Sequence, residues 1–234
     1  RDVYKRQMYH NGDGVPANKK EAIKWYTLSI EQGNSDAETN LGILYNEKDS
    51  PYYDADHGCK YYEMGSAHGN ERSMLNLARL HYENKNYSQA AKYYLPLAEK
   101  GNVDAQERMA ELYEIGSGVQ KNLKLMAKYL KKAAEESPDS QGVLGNYYYT
   151  GNGFDKNVKE AVKWWKIAIS NPEVSPHIAT DTYRLLGNVA YLGENGQINK
   201  KEAKEYWLKG AEMGNGACQY NLGVFAGEDG NSLE

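Results

Sequence analysis

The sequence is poor in cysteine, phenylalanine and proline, since its 234 residues contain two, two and six of them. Two cysteines, Cys59 and Cys218, are too few for a disulfide framework or a cysteine-based metal site. No apolar run approaches the length that spans a bilayer. The 28 basic residues do not exceed the 32 acidic ones, so no excess positive charge attracts nucleic acid or an anionic membrane. We therefore expect neither nucleic-acid binding nor membrane insertion by this segment.

Catalytic patterns are also missing. The histidines have no spacing typical of zinc ligands, and they are His10, His57, His68, His81 and His177. No serine lies in a G-x-S-x-G elbow. Asp54 and Asp56 lie in the polar stretch "SPYYDADHG", which reads as an extended loop with solvated carboxylates. We therefore predict no catalytic residue, no metal site and no cofactor.

Tyrosine is abundant, with 21 copies against two phenylalanines, and it recurs in a pattern with three marks. A Leu-Gly type pair begins at residues 41, 77, 109, 144, 186 and 222, at intervals of 36, 32, 35, 42 and 36. An aromatic doublet follows each of the first five pairs, as in Tyr61-Tyr62 and Trp164-Trp165, with Tyr129-Leu130 as a variant. A Gly-Asn pair closes four of the segments. Periods of this size are typical of stacked helical repeats.

Each repeat is predicted to be two antiparallel helices. Ser35 and Glu38 fit a capping box at the start of a first helix, and acids at matching positions in later repeats suit the helix dipole; these are Asp104, Asp139 and Asp181. The Gly-Asn pairs are expected to end second helices, because Gly accepts positive φ cheaply. The aromatic doublets are then placed between helices.

The stretch "YEIGSGVQKN" (residues 113–122) contains a Gly-x-Gly that could form a phosphate cradle or a bend. A phosphate site requires a preceding strand, whereas residues 104–112 have apolar residues at helical spacing. The phrase also returns as "YHNGDGVPAN" and "YYTGNGFDKN". We therefore interpret it as a bend between the two helices of a repeat.

Both ends of the sequence look interrupted. Residues 1–7 resemble the translation of an adapter used in preparing DNA sequencing libraries, and Lys5-Arg6 stands where a Leu-Gly pair belongs. We expect residues 8–234 to be a single array with repeats at 8–34, 35–70, 71–102, 103–137, 138–175, 176–215 and a partial one at 216–234. Leu233-Glu234 fits either a native end or a cloning remnant.

The repeats resemble the Sel-one-like repeat (SLR) family, α/α solenoid relatives of the tetratricopeptide repeat. The family pattern A-x-x-x-L-G-x-x-Y-x-x-G-x-G-V, then K-A-x-x-W-Y-x-K-A-A-x-x-G, matches "AETNLGILY", "GSGVQKN", "EAIKWYTLSIEQGN" and "EAKEYWLKGAEMGN". The resemblance implies an all-α fold, a right-handed α/α superhelical solenoid of antiparallel helix pairs. Two repeats depart from the pattern: 71–102 lacks the Gly-x-Gly loop, and 138–175 ends in "ISNPEVSP", which predicts an irregular turn.

In the related tetratricopeptide architecture, first helices line a concave face. Its ligand-facing positions correspond here to the residue two before the Leu, the one after the Gly and the fourth after the Gly. By this register the predicted partner-binding residues are Arg79, Tyr82, Asn146, Tyr149, Arg184, Asn188 and Tyr191. The same positions also contain Leu75, Gly142 and the acidic column Glu107, Glu111 and Glu114. An ordinary solvated face is the alternative.

The resemblance implies a non-enzymatic scaffold or adaptor that binds a protein or peptide partner. Two alternatives are a hydrolase of the β-lactamase type, which is associated with cysteine-rich members of the family, and a glycan-binding module. The β-lactamase precedent comes with a cysteine pair in each repeat, and that pair is absent here. The compartment stays open between a bacterial cytoplasm and a secreted or periplasmic location. We expect replacement of Asn146 and Asn188 by Ala to weaken binding with little loss of stability, and Gly145→Leu to unfold its repeat.

Overall fold

A computed structural model describes the backbone of residues 18–231, with side chains to residue 227. Over that range the chain forms twelve α-helices and no strand, as the repeat pattern predicts. The helices are α1 (Lys19–Ile30), α2 (Ser35–Asn46), α3 (Ala55–Ala67), α4 (Glu71–Glu83), α5 (Tyr87–Glu99), α6 (Val103–Ile115), α7 (Leu123–Ala133), α8 (Pro138–Thr150), α9 (Val158–Ser170), α10 (Pro176–Leu192), α11 (Lys200–Glu212) and α12 (Gly216–Asn231).

The chain divides into two compact units. The N-terminal unit comprises the described residues up to Ala105 together with Ser117–Gln120, and the C-terminal unit comprises Gln106–Gly116 and the described residues from Lys121 onward. Within each unit, helices that follow one another in sequence pack together as hairpins. Short connections make such neighbours antiparallel. The hairpins are α2–α3 and α4–α5 in the N-terminal unit, and α8–α9 and α10–α11 in the C-terminal unit.

Four first helices, α2, α4, α6 and α12, begin at an asparagine cap. The Asn34 side chain accepts hydrogen bonds from the amides of Asp36 and Ala37, at 3.0 and 3.2 Å. The predicted capping box at Ser35 is therefore wrong, because Ser35 is already the first helical residue. Glu38 is 1% exposed and bonds the His68 imidazole instead, with Oε2 2.9 Å from Nδ1. The Asn of each Gly-Asn pair thus caps the helix that follows it.

Second helices end at the predicted glycines. Gly33, Gly69, Gly101 and Gly214 have φ angles of 78°, 82°, 99° and 88°. These values lie in the left-handed region, where a side chain is strained. The predicted left-handed stop is confirmed at all four positions.

The second member of each aromatic doublet forms the core. Its exposed fraction is 6% or less in every repeat, as shown by Tyr26, Tyr62, Tyr94, Leu130, Trp165 and Trp207. The first members are half-buried, except that Tyr129 is 2% exposed. Several of them stack on a ring of the preceding helix, such as Tyr61 on Tyr45 with centroids 5.8 Å apart. The prediction that the doublets pack between helices is confirmed.

The small residue of the Leu-Gly pair makes room for the buried ring. A Cβ built on Gly145 would lie 2.4 Å from Cδ1 of Trp165, and one on Gly187 would lie 2.3 Å from Cδ1 of Trp207. Gly42 approaches Tyr62 in the same way, at 2.6 Å. Real Cβ contacts are longer than this, so a larger residue would displace the ring from the core.

The Gly-x-Gly stretches are bends between helices. "YEIGSGVQKN" joins α6 to α7, and "YYTGNGFDKN" joins α8 to α9. Gly116, Gly118, Gly151 and Gly153 all have positive φ. Because a helix and not a strand precedes each stretch, the geometry of a nucleotide-binding loop is absent in both. The copy at "YHNGDGVPAN" lies almost wholly outside the described residues, as do the predictions for residues 1–7 and Leu233-Glu234.

The predicted helix start at Asp181 is wrong, whereas the predicted irregular turn in "ISNPEVSP" is confirmed. α10 begins at Pro176, which makes it longer than the other first helices of complete repeats. Asp181 therefore lies in its second turn and not at its start, and its carboxylate pairs with Arg184. Asp104 and Asp139 do lie in first turns. The segment "ISNPEVSP" leaves an irregular connection between Ser170 and Pro176, as predicted.

Candidate functional site

The two predicted asparagines are hydrogen-bonded inside their own hairpins. Asn146 Oδ1 accepts a 2.9 Å hydrogen bond from the Trp165 indole, and Asn188 Oδ1 accepts one of 3.1 Å from Trp207. Both indoles are buried, with exposed fractions of 0% and 4%. An indole N–H left without an acceptor in such a place is costly. We therefore expect Ala replacements at these positions to lower stability, contrary to the expectation from the sequence.

The predicted tyrosines of the C-terminal unit pack on the same tryptophans. The ring centroids of Tyr149 and Trp165 are 5.5 Å apart, and those of Tyr191 and Trp207 are 5.3 Å apart. Both tyrosines are half-buried. Burial raises the pKa of Tyr149, and a hydrogen bond with Glu194 raises it further. These tyrosines thus contribute to packing and keep part of each ring at the surface.

The two predicted arginines form ion pairs within the chain. Arg184 donates to Asp181 Oδ1 from Nε at 3.0 Å and from Nη2 at 2.5 Å. In the N-terminal unit, Arg79 Nε lies 3.0 Å from Asp104 Oδ2 and the Arg79 side chain is 51% exposed. A partner carboxylate would have to compete with these aspartates.

The predicted residues divide between the two units. Arg79 and Tyr82 belong to the N-terminal unit, where Tyr82 packs edge-on against Tyr87 and Tyr94. The other five lie on α8 and α10 of the C-terminal unit. Arg184 is close enough to Tyr149 for its charge to act on that hydroxyl. Three surface grooves lie near these positions, two in the C-terminal unit and one in the N-terminal unit.

The acidic groove, as we name the first, lies on the first helices of the C-terminal unit and has a volume of about 380 Å³. Its walls come from α6, α8 and α10, and α7 contributes to its floor. The lining residues are Glu107, Arg108, Ala110, Glu111, Glu114, Met126, Leu130, Asp139, Ser140, Val143, Tyr147, His177 and Ile178. The register column Glu107, Glu111 and Glu114 is therefore brought together here, although the predicted partner-binding residues on α8 and α10 are not part of its lining.

Each carboxylate of the acidic groove is oriented by the chain. Glu107 Oε1 accepts hydrogen bonds from the hydroxyls of Ser137 and Ser140, at 2.7 and 2.6 Å. Asp139 Oδ1 accepts from the Ser175 amide at 2.7 Å. These donors hold the two carboxylate oxygens in place. The acids of this groove are thus pre-positioned before any ligand binds.

The other polar groups of the lining include an ion pair, a tyrosine and the imidazole of His177. Arg108 Nη1 lies 2.9 Å from Glu111 Oε2. The pKa of Tyr147 is raised well above its ordinary value by burial, by a hydrogen bond with Glu114, and by the charges of Glu114 and Glu111. Apart from burial, these causes all reflect negative potential at the Tyr147 hydroxyl, which comes from Glu114 and Glu111. The groove is therefore electronegative.

A second groove of the C-terminal unit contains two predicted residues. It measures about 250 Å³ and is largely apolar. Its lining residues are Asn188, Tyr191, Leu192, Trp207, Tyr220, Asn221, Val224 and Phe225. Asn188 Oδ1 also accepts from Asn221 Nδ2 here, at 3.0 Å. Asn188 and Tyr191 are thus brought to one surface, as the register predicts.

In the N-terminal unit, Arg79 lines a groove of about 320 Å³ with Asn46, Tyr62, Asn76 and Glu83 among its neighbours. The pKa of Tyr62 is raised to about 12, mainly by burial. Tyr82 does not line this groove. Of the two residues predicted in this unit, Arg79 therefore lies at a groove, and Tyr82 packs against neighbouring rings.

Residues with potential chemistry have structural roles. Asp54 caps α3, since its Oδ1 accepts from the His57 amide at 3.1 Å, and its Oδ2 lies 2.7 Å from the His57 ring. Asp56 lies in the first turn of α3 and not in a loop, which corrects the reading of "SPYYDADHG".

Burial raises the thiol pKa of Cys59 and Cys218, which lowers their reactivity. Among the described residues, no group of three His, Cys, Asp or Glu side chains is placed to hold a metal ion.

Over residues 18–231, no helix combines the length and apolar character that crossing a bilayer requires.

Comparison with solved structures shows the same fold. The chain superposes on a protective antigen of uropathogenic Escherichia coli that displays an SLR fold, with a TM-score of 0.71 and 22% identity, covering 95% of this chain and 56% of the antigen. A Sel1 repeat protein from Oxalobacter formigenes matches with a TM-score of 0.69 and 23% identity, covering 90% of this chain and 86% of that protein. The predicted all-α solenoid fold class is thereby confirmed.

Curated relatives match over part of their length. A sel1-like repeat-containing protein of Acanthamoeba polyphaga mimivirus is 32% identical over 114 residues, which is 48% of this chain and 21% of the relative. DAP3-binding cell death enhancer 1 of Rattus norvegicus is 26% identical over 102 residues, 42% of this chain and 19% of the relative. The chain thus spans about a fifth of the length of these relatives.

A family model described as the Sel1 repeat matches six segments, which are residues 7–34, 35–70, 72–102, 103–137, 138–172 and 182–215. These segments cover most of the chain, and the residues that recur in them are those whose packing is described above. The chain therefore belongs to the Sel1 repeat family.

Proposed function

We propose that this chain is a non-enzymatic scaffold that binds a protein or peptide on the surface of its first helices. Proteins of the Sel1 repeat family commonly act as interaction scaffolds, and one rat relative is named for binding DAP3. The proposed contact residues are Arg79, Tyr82, Asn146, Tyr149, Arg184, Asn188 and Tyr191, to which we add the lining of the acidic groove.

The acidic groove is the observation that carries the proposal. It has pre-positioned polar groups over an apolar floor, which is the composition typical of ligand-binding clefts. Because its walls are helices packed within one unit, binding costs little conformational entropy of the receptor. The groove is also a continuous surface across three helices, which suits an extended peptide better than a compact small molecule.

The direct test measures binding of the purified chain to an array of random ten-residue peptides. We expect a reproducible subset of peptides to bind, and Val143→Trp, which fills the acidic groove, to abolish that binding. Leu208→Trp is the matched control, because Leu208 is 43% exposed on α11 and lies outside the groove. Equal binding by both variants would place the interaction elsewhere, and the absence of any bound peptide would refute the proposal.

Two further assays address the alternative functions. Hydrolysis of nitrocefin that a point substitution abolishes would establish the hydrolase. Selective binding to a glycan array, without peptide binding, would establish the glycan module. We expect neither result, because the described residues contain no arranged catalytic group and the proposed ligand is a peptide.

A further inference from the structure

The charge of the acidic groove restricts which peptides can bind it. Four carboxylates line the groove, from Glu107, Glu111, Glu114 and Asp139, against one guanidinium from Arg108. The guanidinium is already paired with Glu111. An acidic or phosphorylated ligand would meet like charge at short range, whereas a cationic ligand would be attracted.

The floor of the groove suits the aliphatic part of a long cationic side chain. Met126 and Leu130 are almost fully buried, with exposed fractions of 1% and 4%, and they lie under the groove. Val143 and Ile178 add half-buried apolar surface to its walls. Lysine and arginine bury their methylene stems on such surfaces and keep the charged group among polar atoms.

The four carboxylates are distributed along the length of the groove. Glu107, Glu111 and Glu114 are spaced by four and three residues on α6, so they occupy one face over two helical turns. Asp139 faces them from the start of α8. Because two serine hydroxyls donate to Oε1 of Glu107, the carboxylate at this end is held in place. Glu111 and Glu114 lie further along: Glu114 hydrogen-bonds with the hydroxyl of Tyr147, and Glu111 is close enough for its charge to act on that hydroxyl.

We propose that the acidic groove binds a basic segment of a partner protein, with an arginine or lysine stem on the Met126–Val143 surface and its charged group between Glu111 and Glu114. This inference rests on the proposed scaffold function and specifies the chemistry of its ligand. Arginine is favoured over lysine, because a guanidinium can donate to two carboxylates at once.

The test uses the whole chain and three fluorescent ten-residue peptides of alanine with three substitutions each: arginine, the uncharged citrulline, or glutamate. Fluorescence anisotropy at 50 and 300 mM NaCl gives their affinities. We expect the arginine peptide to bind at least about tenfold more tightly than the citrulline peptide at low salt, and to weaken as salt rises, because charged hydrogen bonds contribute most of the selectivity.

The variant E111Q/E114Q removes two carboxylates from the acidic groove, and E135Q/E136Q is its matched control. Glu135 and Glu136 are exposed in the α7–α8 connection, outside the groove lining, and their replacement changes the net charge equally. We expect about a tenfold loss of arginine-peptide affinity in the first variant and less than about a twofold change in the second. Circular dichroism checks that both variants fold, and E114Q alone provides a milder substitution.

Several results would overturn the inference. Equal losses in both double variants would show attraction by net charge and not by the groove. Equal affinity for the citrulline peptide would remove the role of charge. Spermidine competing at the same concentration as the peptide would indicate a small-cation site. If uncharged array peptides bind and Val143→Trp abolishes their binding, the scaffold proposal stands and this inference fails. If no peptide of any charge binds, both fail.

Discussion

At the scale of single residues, the main finding concerns a hydrogen bond that recurs in two hairpins. Asn146 and Asn188 follow the glycines of their Leu-Gly pairs, and each accepts from the indole of the buried tryptophan nineteen residues later. The bond allows a large ring with a polar atom to fill the core without an unsatisfied donor. A position expected to face a ligand is therefore also a structural one.

We predict that Asn146→Ala lowers the free energy of unfolding by about 1–3 kcal/mol, because the Trp165 N–H loses its acceptor. Urea denaturation followed by circular dichroism measures this change. A double-mutant cycle with Trp165→Phe supplies the control, since the Asn substitution should cost less once the donor is gone. Equal costs in both backgrounds would show that the hydrogen bond contributes nothing.

The glycines of the Leu-Gly pairs provide a second prediction. Gly145→Ala should destabilise the protein by about 1–3 kcal/mol, because the new methyl collides with Trp165, and Gly145→Leu should prevent its hairpin from folding. Gly223 is the matched control, because it occupies the same place in the motif but a Cβ there meets nothing within 4 Å. Gly223→Ala should be neutral or slightly stabilising by helix propensity. Thermal melts of the three variants provide the comparison, and similar losses at both glycines would contradict it.

At the scale of helices and connections, backbone conformation explains where glycine occurs between helices. Among the described residues 18–231, every connection with positive φ uses glycine except the turn between α4 and α5, where Lys85 has φ of 60°. That turn belongs to the repeat that lacks the Gly-x-Gly loop. A lysine in the left-handed region stores strain that glycine would not.

We therefore predict that Lys85→Gly stabilises the protein, by roughly 0.5–1 kcal/mol. Lys100→Gly is the control, because Lys100 directly follows α5 with φ of −81°, where a side chain is favourable, and its ion pair with Glu71 is exposed and contributes little. The same change at Lys100 should destabilise. Urea midpoints of the two variants relative to wild type test the pair, and a shift of the same sign in both would exclude backbone strain at Lys85.

At the scale of the whole molecule, the many half-buried tyrosines make stability sensitive to alkali. Burial raises the pKa of several tyrosines, namely Tyr45, Tyr62, Tyr93, Tyr147, Tyr149 and Tyr206. Their neutral forms are favoured in the folded chain. The stability that this provides is fully present below the ordinary tyrosine pKa near 10 and is lost as pH rises through the folded-state values.

The corresponding prediction is made for Tyr62, whose pKa is raised to about 12. Between pH 10 and 12 the free energy of unfolding should fall, and it should fall less in Tyr62→Phe, which has no hydroxyl to ionise. Urea titrations at pH 8, 10, 11 and 12 measure both curves. Tyr53→Phe is the control, because Tyr53 is 46% exposed. A Tyr62→Phe curve parallel to wild type would refute the role of this ionisation.

Much of the fold follows from the sequence because it depends on local rules. The glycine stops require only positive φ at four positions, and the aromatic doublets recur at helical spacing, so both predictions are confirmed. The capping box at Ser35 failed because the neighbouring Asn34 competes for the same amides. The predicted helix start at Asp181 is wrong because the segment "PHIAT" extends α10 toward the N-terminus. The other repeats have no such extension, so a register based on them could not predict it.

The candidate site was only partly predictable. The register correctly grouped Glu107, Glu111 and Glu114, because residues three and four apart share one face of a helix. It missed Asp139, Tyr147 and His177, which enter the acidic groove from α8 and α10 at other register positions. It also assigned Asn146 and Asn188 to ligand binding and did not predict their hydrogen bonds with buried tryptophans. Pairing across helices depends on how two surfaces pack, and periodicity within one helix carries no such information.

The sequence alone determined that this protein is an array of helical hairpins with glycine stops, because helix periodicity and backbone φ preferences act within a few residues. Tertiary structure decided which side chains meet: the asparagines with buried indoles, the arginines with neighbouring aspartates, and four carboxylates around one apolar floor. The physical reason is that hydrogen bonds and charge pairs act over a few ångströms in space, and residues thirty positions apart reach that distance only after the helices have packed.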